Sequence, residues 1–115
     1  MQNKIAVAKS APIKTSAFKA SLVLSLVRGL DVHAALLQLQ FSRKKIAYDV
    51  HKLVRSAIAN AEHNCNMDVD RLYISKILVN HAFYLKRFMP RAKGRANRIM
   101  KPFSRICLEL SERQI

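Results

Sequence analysis

Six cations and no carboxylate fall within thirteen consecutive residues, KRFMPRAKGRANR (86–98). The chemistry open to such a run is the holding of anions, phosphates above all, because Arg presents a planar fork of donors and Lys a compact charge. The run sits in a longer acid-free span: residues 71–108 carry ten Lys or Arg and neither Asp nor Glu. Nothing inside the span screens its charge. Phe83, Tyr84, Leu85, Phe88 and Met89 lie in and beside it, and aromatic or sulfur side chains of this kind suit the faces of nucleic-acid bases. A partner offering dense phosphates and base faces together meets both needs, and structured RNA does so best.

Other chemistry is not visible. The histidines, His33, His51, His63 and His81, form no HxxxH pair and none adjoins a cysteine, so no metal site is expected. Gly29 and Gly94 are the only glycines, too few for a phosphate-cradling loop. Of the seven acidic residues Asp68 and Asp70 are the closest pair, better placed to shape a loop than to perform acid–base work. No nucleophile, metal set or cofactor loop emerges, and the expectation is a protein that is not an enzyme and takes no cofactor.

Composition agrees. Twenty-one Lys or Arg against seven acids give 115 residues a net charge of +14. A small domain rarely carries so much self-repulsion without an anionic partner, although nucleic acid, acidic proteins and anionic membranes would all serve. The apolar stretches, such as LVL at 22–24, fall well short of the ~20 residues of a membrane span. Cys65 and Cys107 make neither a CxxC pair nor a disulfide framework, which fits a reducing cytosol. The basic, serine-bearing first thirty residues superficially suit an organellar transit peptide. They run without a break into a well-capped helix, which favours folded protein whose basic face meets the same partner as the rest.

The elements that must position the cations follow from period and punctuation. NKIAVA (3–8) alternates weakly and predicts a short strand closed by a turn around Pro12. Ser16 can cap a helix over 17–28, with Phe18, Leu22 and Leu26 as its apolar stripe and Gly29 as its left-handed terminator. Asp31 is expected to cap a shorter helix, with Ala34, Ala35, Leu37 and Leu39 toward the core and Phe41 at its end. Ser42 is expected to begin a long amphipathic helix, in which Ile46, Ala47, Val50, Leu53, Val54, Ala57, Ile58 and Ala61 recur at three- and four-residue steps. Its outer face carries Arg43, Lys44, Lys45, Lys52 and Arg55, either a solvated or a phosphate-contacting face. CNMDVD (65–70) reads as a loop. Strand formers take over after Asp70, and Ile106, Leu108 and Leu110 alternate with Cys107 and Glu109 as in a strand with one buried face.

Between these strands lies the opening run. Gly94 and Pro90 place a chain reversal at 91–95, and arms extending over 80–105 would form a ribbon of roughly 40 Å. Pro90 and Pro102 each remove a ladder donor, which a two-stranded ribbon tolerates and a central strand does not. A two-stranded ribbon is marginal in water; this one needs a partner to cover it. The expected architecture is one α+β domain, 1–115, of three helices on a small antiparallel three-stranded sheet, with a protruding basic β-hairpin at 80–105.

Two blocks carry a resemblance. SAIANAEHN (56–64), closing the long helix, and KRFMPRAKGRANRIMK (86–101), covering the hairpin, resemble the family of bacterial large-subunit ribosomal protein number twenty-two; LVRG (26–29) and the order of elements support the match. The resemblance implies a body on the outer surface of the large ribosomal subunit and a hairpin threading inward through ribosomal RNA of the 23S type, bridging its domains during assembly. It also implies that Met89, Pro90, Arg91, Ala92, Lys93, Gly94, Arg95 and Ala96 form a tip lining the nascent-peptide exit tunnel, and that Lys86, Arg87, Arg98 and Lys101 form basic arms. With Lys9, Lys14, Lys19, Arg43, Lys44, Lys45 and Arg105, these cations make up the expected RNA-binding set. Implied partners are ribosomal RNA, neighbouring large-subunit proteins and the nascent peptide, for a cytoplasmic, membrane-free monomer within the ribosome. The chain departs from the family at Phe18 and Ser21, where arginines are common, and at NHAFYL (80–85) and PFSR (102–105), which replace other flanks. From the residues alone, a dimeric architectural DNA-binding protein with minor-groove β-arms stays open as a second reading.

Overall fold

Ile106, Leu108 and Leu110 are fully buried, while Arg105 is exposed and Cys107 and Glu109 are half-buried. This alternation marks a strand with one covered face. The strand, β3 (Ala96–Glu112), is the middle member of an antiparallel sheet, with β1 (Ile5–Lys9) on one side and β2 (Leu72–Pro90) on the other. The computed structural model describes residues 5–90 and 96–113, with the backbone alone at 85–90 and 96–100. The reversal expected at 91–95 therefore lies outside the described residues.

Three helices cover one face of the sheet: α1 (Ala17–Val27), α2 (Val32–Gln40) and α3 (Lys45–Asn64). The expected α+β class, with three helices on a three-stranded antiparallel sheet, is what the chain adopts. α3 packs on β1 and β3, α1 on β2, and α2 mainly on α3. α3 buries Ile46, Ala47, Val50, Leu53, Val54, Ala57 and Ala61, the stripe that its sequence period predicts, with Ile58 half-buried at its margin.

The two body blocks of the resemblance stitch elements together. In SAIANAEHN the small Ala57 and Ala61 allow α3 close to the sheet, and Asn60 donates from Nδ2 to the Val7 carbonyl of β1 at 3.2 Å. In LVRG, Gly29 takes φ +83°, a left-handed backbone costly for other residues. Its N–H donates to the Ile74 carbonyl, the Ile74 N–H donates to the Leu30 carbonyl, and Arg28 Nη2 donates to the Ile77 carbonyl at 3.0 Å. The turn after α1 is thereby tied to β2.

Four local expectations need correction. Phe18, Leu22 and Leu26 do form a stripe, but it faces solvent; α1 buries Ala20, Val23, Leu24 and Val27 instead. The helix is apolar on both sides, and the face turned to the core is the one that carries the small Ala20 and the two valines. In α2, Ala35 and Leu39 are buried with Val32, whereas Ala34 and Leu37 are exposed. Asp31 makes no side-chain cap; its carboxylate accepts from Arg113 Nε at 2.7 Å. α3 starts at Lys45, not Ser42, since Lys44 is still extended; the Ser42 hydroxyl accepts from the Lys44 N–H, a local turn preceding the helix. Ser16 does cap α1, accepting from the Lys19 N–H at 3.3 Å.

The molecule is long. Its principal extents are 68 × 28 × 19 Å and its radius of gyration is 17.5 Å, against about 13 Å for a compact chain of this length. β2 and β3 account for this: their pairing continues from Leu72↔Glu112 to Pro90↔Ala96, whereas β1 reaches only Lys9↔Cys107.

Candidate nucleic-acid interface

The base of the ribbon is built from residues of both chain ends. Ser10 and Ile13 prolong the pairing on the free edge of β3: Ser10 N–H donates to the Ile106 carbonyl, and Ile13 and Ser104 exchange backbone bonds at 2.8 and 2.9 Å. Ser104 is the sole fully buried polar residue among the described ones, and its hydroxyl donates to the Thr15 carbonyl at 2.9 Å. Ser10 Oγ accepts from the Ile106 N–H. A register shift between His81 and Phe83 leaves Ala82 unpaired at this level, and such a bulge bends and twists the ribbon where it leaves the body. Phe83 and Phe103 stack across the strands, centroids 4.8 Å apart and planes 14° apart; His81 lies against Tyr84 at 4.3 Å. Phe83 thus has a protein partner at the ribbon's root. Pro102 falls beyond the reach of β1, opposite Tyr84, where its missing N–H costs the sheet nothing.

This anchoring gathers cations. Lys9 stands opposite Cys107, two residues from Arg105, and both cations are exposed on the sheet face that the helices leave open. Lys14 follows the Ile13–Ser104 bridge, and Lys19 lies in the first turn of α1, also near the root; both are exposed. A shallow cleft between Ser10, Ala11, Pro12, Ile13 and α3 residues Asp49, Lys52 and Leu53 brings the N-terminal half of α3 alongside. Arg43 and Lys44 lead into that helix and Lys45 begins it, all three exposed, and Lys52 Nζ sits 5.3 Å from the centroid of the exposed Tyr48 ring.

Helix direction reinforces the arrangement. α1 starts beside Ser104 and ends beside Ile74, and α3 starts near the 10–13 loop and ends past Asn60, which reaches Val7. Both helices point their N-termini toward the ribbon end, and neither has an acid in its first turn. Each terminus adds about half a positive charge there.

Four of the seven carboxylates collect at the opposite end. Asp31 pairs with Arg113, Arg71 with Glu112 at 3.5 Å and His33 with Asp70 at 3.7 Å. Glu112 accepts from the Asp68 N–H, and Asp68 from the Asp70 N–H, so Asp68 and Asp70 shape the turn at Val69–Arg71. Arg113 also donates to the Gly29 carbonyl and lies 4.5 Å over Tyr73. Charge is therefore uneven along the long axis: Asp31, Asp68, Asp70 and Glu112 lie at one end, and cations gather at the root and along the ribbon, with Asp49 on the root cleft among them.

Within the ribbon the register separates the charges. Lys86 stands opposite Met100, Arg87 opposite Ile99, Arg98 opposite Phe88, Lys101 opposite Leu85 and Arg105 opposite Asn80. Among the described pairs no cation opposes another, which avoids the cost of like charges directly across a ladder. Positions alternate between faces along a strand, so Lys86 and Arg98 fall on one face and Arg87 and Lys101 on the other. Of the expected tip, Met89, Pro90 and Ala96 belong to the paired strands; Arg91, Ala92, Lys93, Gly94 and Arg95 lie outside the described residues.

Ser10, Ser104 and Arg113 were not singled out by residue type. Ser104 had a readable signal: extending the alternation of Leu110, Leu108 and Ile106 by one step puts a serine on the core face. Arg113 had none, since its partner Asp31 is distant in sequence. Among the described residues no group of His, Cys, Asp or Glu is arranged to hold a metal ion, and no helix is long and apolar enough to cross a membrane.

Fold and charge define an α+β body bearing a cationic two-stranded ribbon. The family model for Ribosomal protein L22p/L17e matches residues 8–111. Curated relatives described as Large ribosomal subunit protein uL22 include that of Rickettsia typhi, 47% identical over 114 residues, covering 98% of this chain and 96% of the relative. That of Beijerinckia indica subsp. indica is 49% identical over 100 residues, covering 87% and 78%, and that of Caulobacter vibrioides 47% over 107 residues, covering 93% and 85%. The chain belongs to this family of ribosomal proteins, uL22. It is a structural constituent of the large ribosomal subunit, hence cytoplasmic, and not an enzyme.

Proposed function

We propose that the chain, acting as one unit over 1–115, binds large-subunit ribosomal RNA with its cationic end and inserts the 80–105 ribbon between RNA segments. The observation that carries this reading is the polarised charge. A ribbon with cations on both faces is suited to being surrounded by phosphate, and residues 71–108 hold no Asp or Glu to repel the RNA. Lys86, Arg87, Arg98 and Lys101 neutralise phosphates along the arms; Lys9 and Arg105 do so at the root, and Arg43, Lys44 and Lys45 beside it. The family resemblance extends this to a tip, Met89, Pro90, Arg91, Ala92, Lys93, Gly94, Arg95 and Ala96, that lines the exit tunnel and meets the nascent peptide. A monomer gripping RNA at root and tip bridges separate RNA domains during assembly, with neighbouring large-subunit proteins beside it.

Salt dependence tests the phosphate contacts, because each one contributes up to about 0.9 to the slope of log affinity against log salt. Binding of the purified chain to folded large-subunit RNA fragments should weaken steeply with salt. Replacing Arg91, Lys93 and Arg95 together by Ala should lower the slope by about two to three. An unchanged slope overturns the assignment of these three residues, and a preference for duplex DNA over folded RNA overturns the reading as a whole.

A further inference from the structure

α1 is apolar on both sides. Ala20, Val23, Leu24 and Val27 pack inward, and Phe18, Leu22 and Leu26 stand on the opposite face, Phe18 with 72% of its surface exposed. A helix hydrophobic all round is one buried all round, and large side chains at four-residue spacing make the ridge that a second helix packs against. Ser21 and Ser25 adjoin this ridge, but their hydroxyls donate to the Phe18 and Leu22 carbonyls at 2.7 and 2.9 Å and need no outside partner. α2 repeats the pattern: Leu37 and Phe41, the latter 77% exposed, lie away from buried Ala35 and Leu39.

RNA does not suit this face. Lys19 is the one cation in α1, whereas α3 presents Lys45, Lys52 and Arg55 outward. A second copy does not suit it either, since two chains of net charge +14 repel each other. Lys14 and Lys19, exposed and in none of the described ion pairs, stand at the N-terminal end of the ridge. The helix dipole adds positive charge there, and the first turn holds no acid. An occupant has to bring apolar surface for the ridge and carboxylates for this end.

We propose that the outer face of α1 docks one amphipathic helix of a neighbouring large-subunit protein. Its apolar residues lie over Phe18, Leu22 and Leu26, and its Asp or Glu side chains lie beside Lys14 and Lys19. This takes Lys14 and Lys19 out of the RNA-binding set expected from the sequence; it rests on the chain's membership of the large subunit and not on the RNA contacts of the ribbon.

The test uses large subunits assembled with the full chain carrying the photo-crosslinker benzoylphenylalanine at Leu22, or at the more exposed Phe18, with adducts mapped by mass spectrometry. One protein should be captured through a helical segment with apolar residues three and four apart flanked by carboxylates. Leu26→Lys in the same chain should cut the yield roughly tenfold, as for loss of a central interface anchor. In unmodified particles, carbodiimide should couple Lys14 or Lys19 to a carboxylate of that same segment, a measurement that needs no variant. Adducts on ribosomal RNA, on a second copy or on a segment without carboxylates overturn the proposal, as does absence of both kinds of adduct. Incorporation of the chain into the particles, scored by sedimentation, reads the ribbon's RNA binding separately.

Discussion

The same two strands live in two environments. Over residues 104–112, β3 has β1 and then Ser10 and Ile13 on one edge, β2 on the other and helices over one face, and it buries Ile106, Leu108 and Leu110 completely. Over residues 96–103 it has β2 alone. The covalent strand is continuous, but the source of order changes at Ser104. Below it, apolar burial at about 25 cal/mol per Å² holds the register; above it, a two-stranded ladder of marginal intrinsic stability inherits its register from the body. The boundary is fixed by the Ser104–Thr15 bond, the Ala82 bulge and the Phe83–Phe103 stack.

The contrast is broken most severely from inside the body. Leu108→Ala removes a fully buried side chain from the middle strand of the sheet, and should cost about 2–5 kcal/mol of unfolding free energy in urea. The salt slope of RNA binding, measured where the variant remains folded, should stay unchanged. A lowered slope would mean that body and ribbon are not separable in this way.

Ser104→Ala tests the boundary itself. The change leaves the Thr15 carbonyl without its buried donor and should cost about 1–3 kcal/mol. Hydrogen exchange should quicken first at Ile13 and Ser104, whose backbone bonds hold the 10–16 loop to β3. Uniform loss of protection across the sheet would show that Ser104 is an ordinary core position and not a local pin.

The parts readable from sequence are those in which one period dominates. Ile106, Leu108 and Leu110 repeat every second residue, and the apolar positions of α3 every three or four, so each element has one face to bury and announces it. α1 does not: with apolar residues all round, period alone could not choose between Phe18, Leu22, Leu26 and the set Ala20, Val23, Leu24, Val27. Asp31 and Ser42 looked like caps because their types favour caps, but the local backbone and a distant Arg113 decided otherwise. The ribbon's cations were legible one by one. Their gathering at one end of the molecule was not, because it depends on the 10–16 loop pairing with Ser104 and on α1 and α3 running in the same sense.

The smallest effect on folding should come from the ribbon. Lys86, Arg87 and Arg98 stand opposite Met100, Ile99 and Phe88, beyond the reach of β1, so changing all three to Gln removes charge from a segment on which the body does not depend. Surface changes of this kind move stability by about 0.5 kcal/mol or less each, and relief of repulsion within a chain of net charge +14 pushes the sign toward stabilisation. The midpoint in urea should therefore hold or rise slightly. The same variant should lose about two to three units of salt slope on ribosomal RNA. Unfolding and binding would thus respond oppositely to one set of substitutions, as expected of strands whose lower half is held by the core and whose upper half awaits its RNA. A drop in urea midpoint comparable with that of Leu108→Ala would show instead that the ribbon helps to hold the body, and the division at Ser104 would fail.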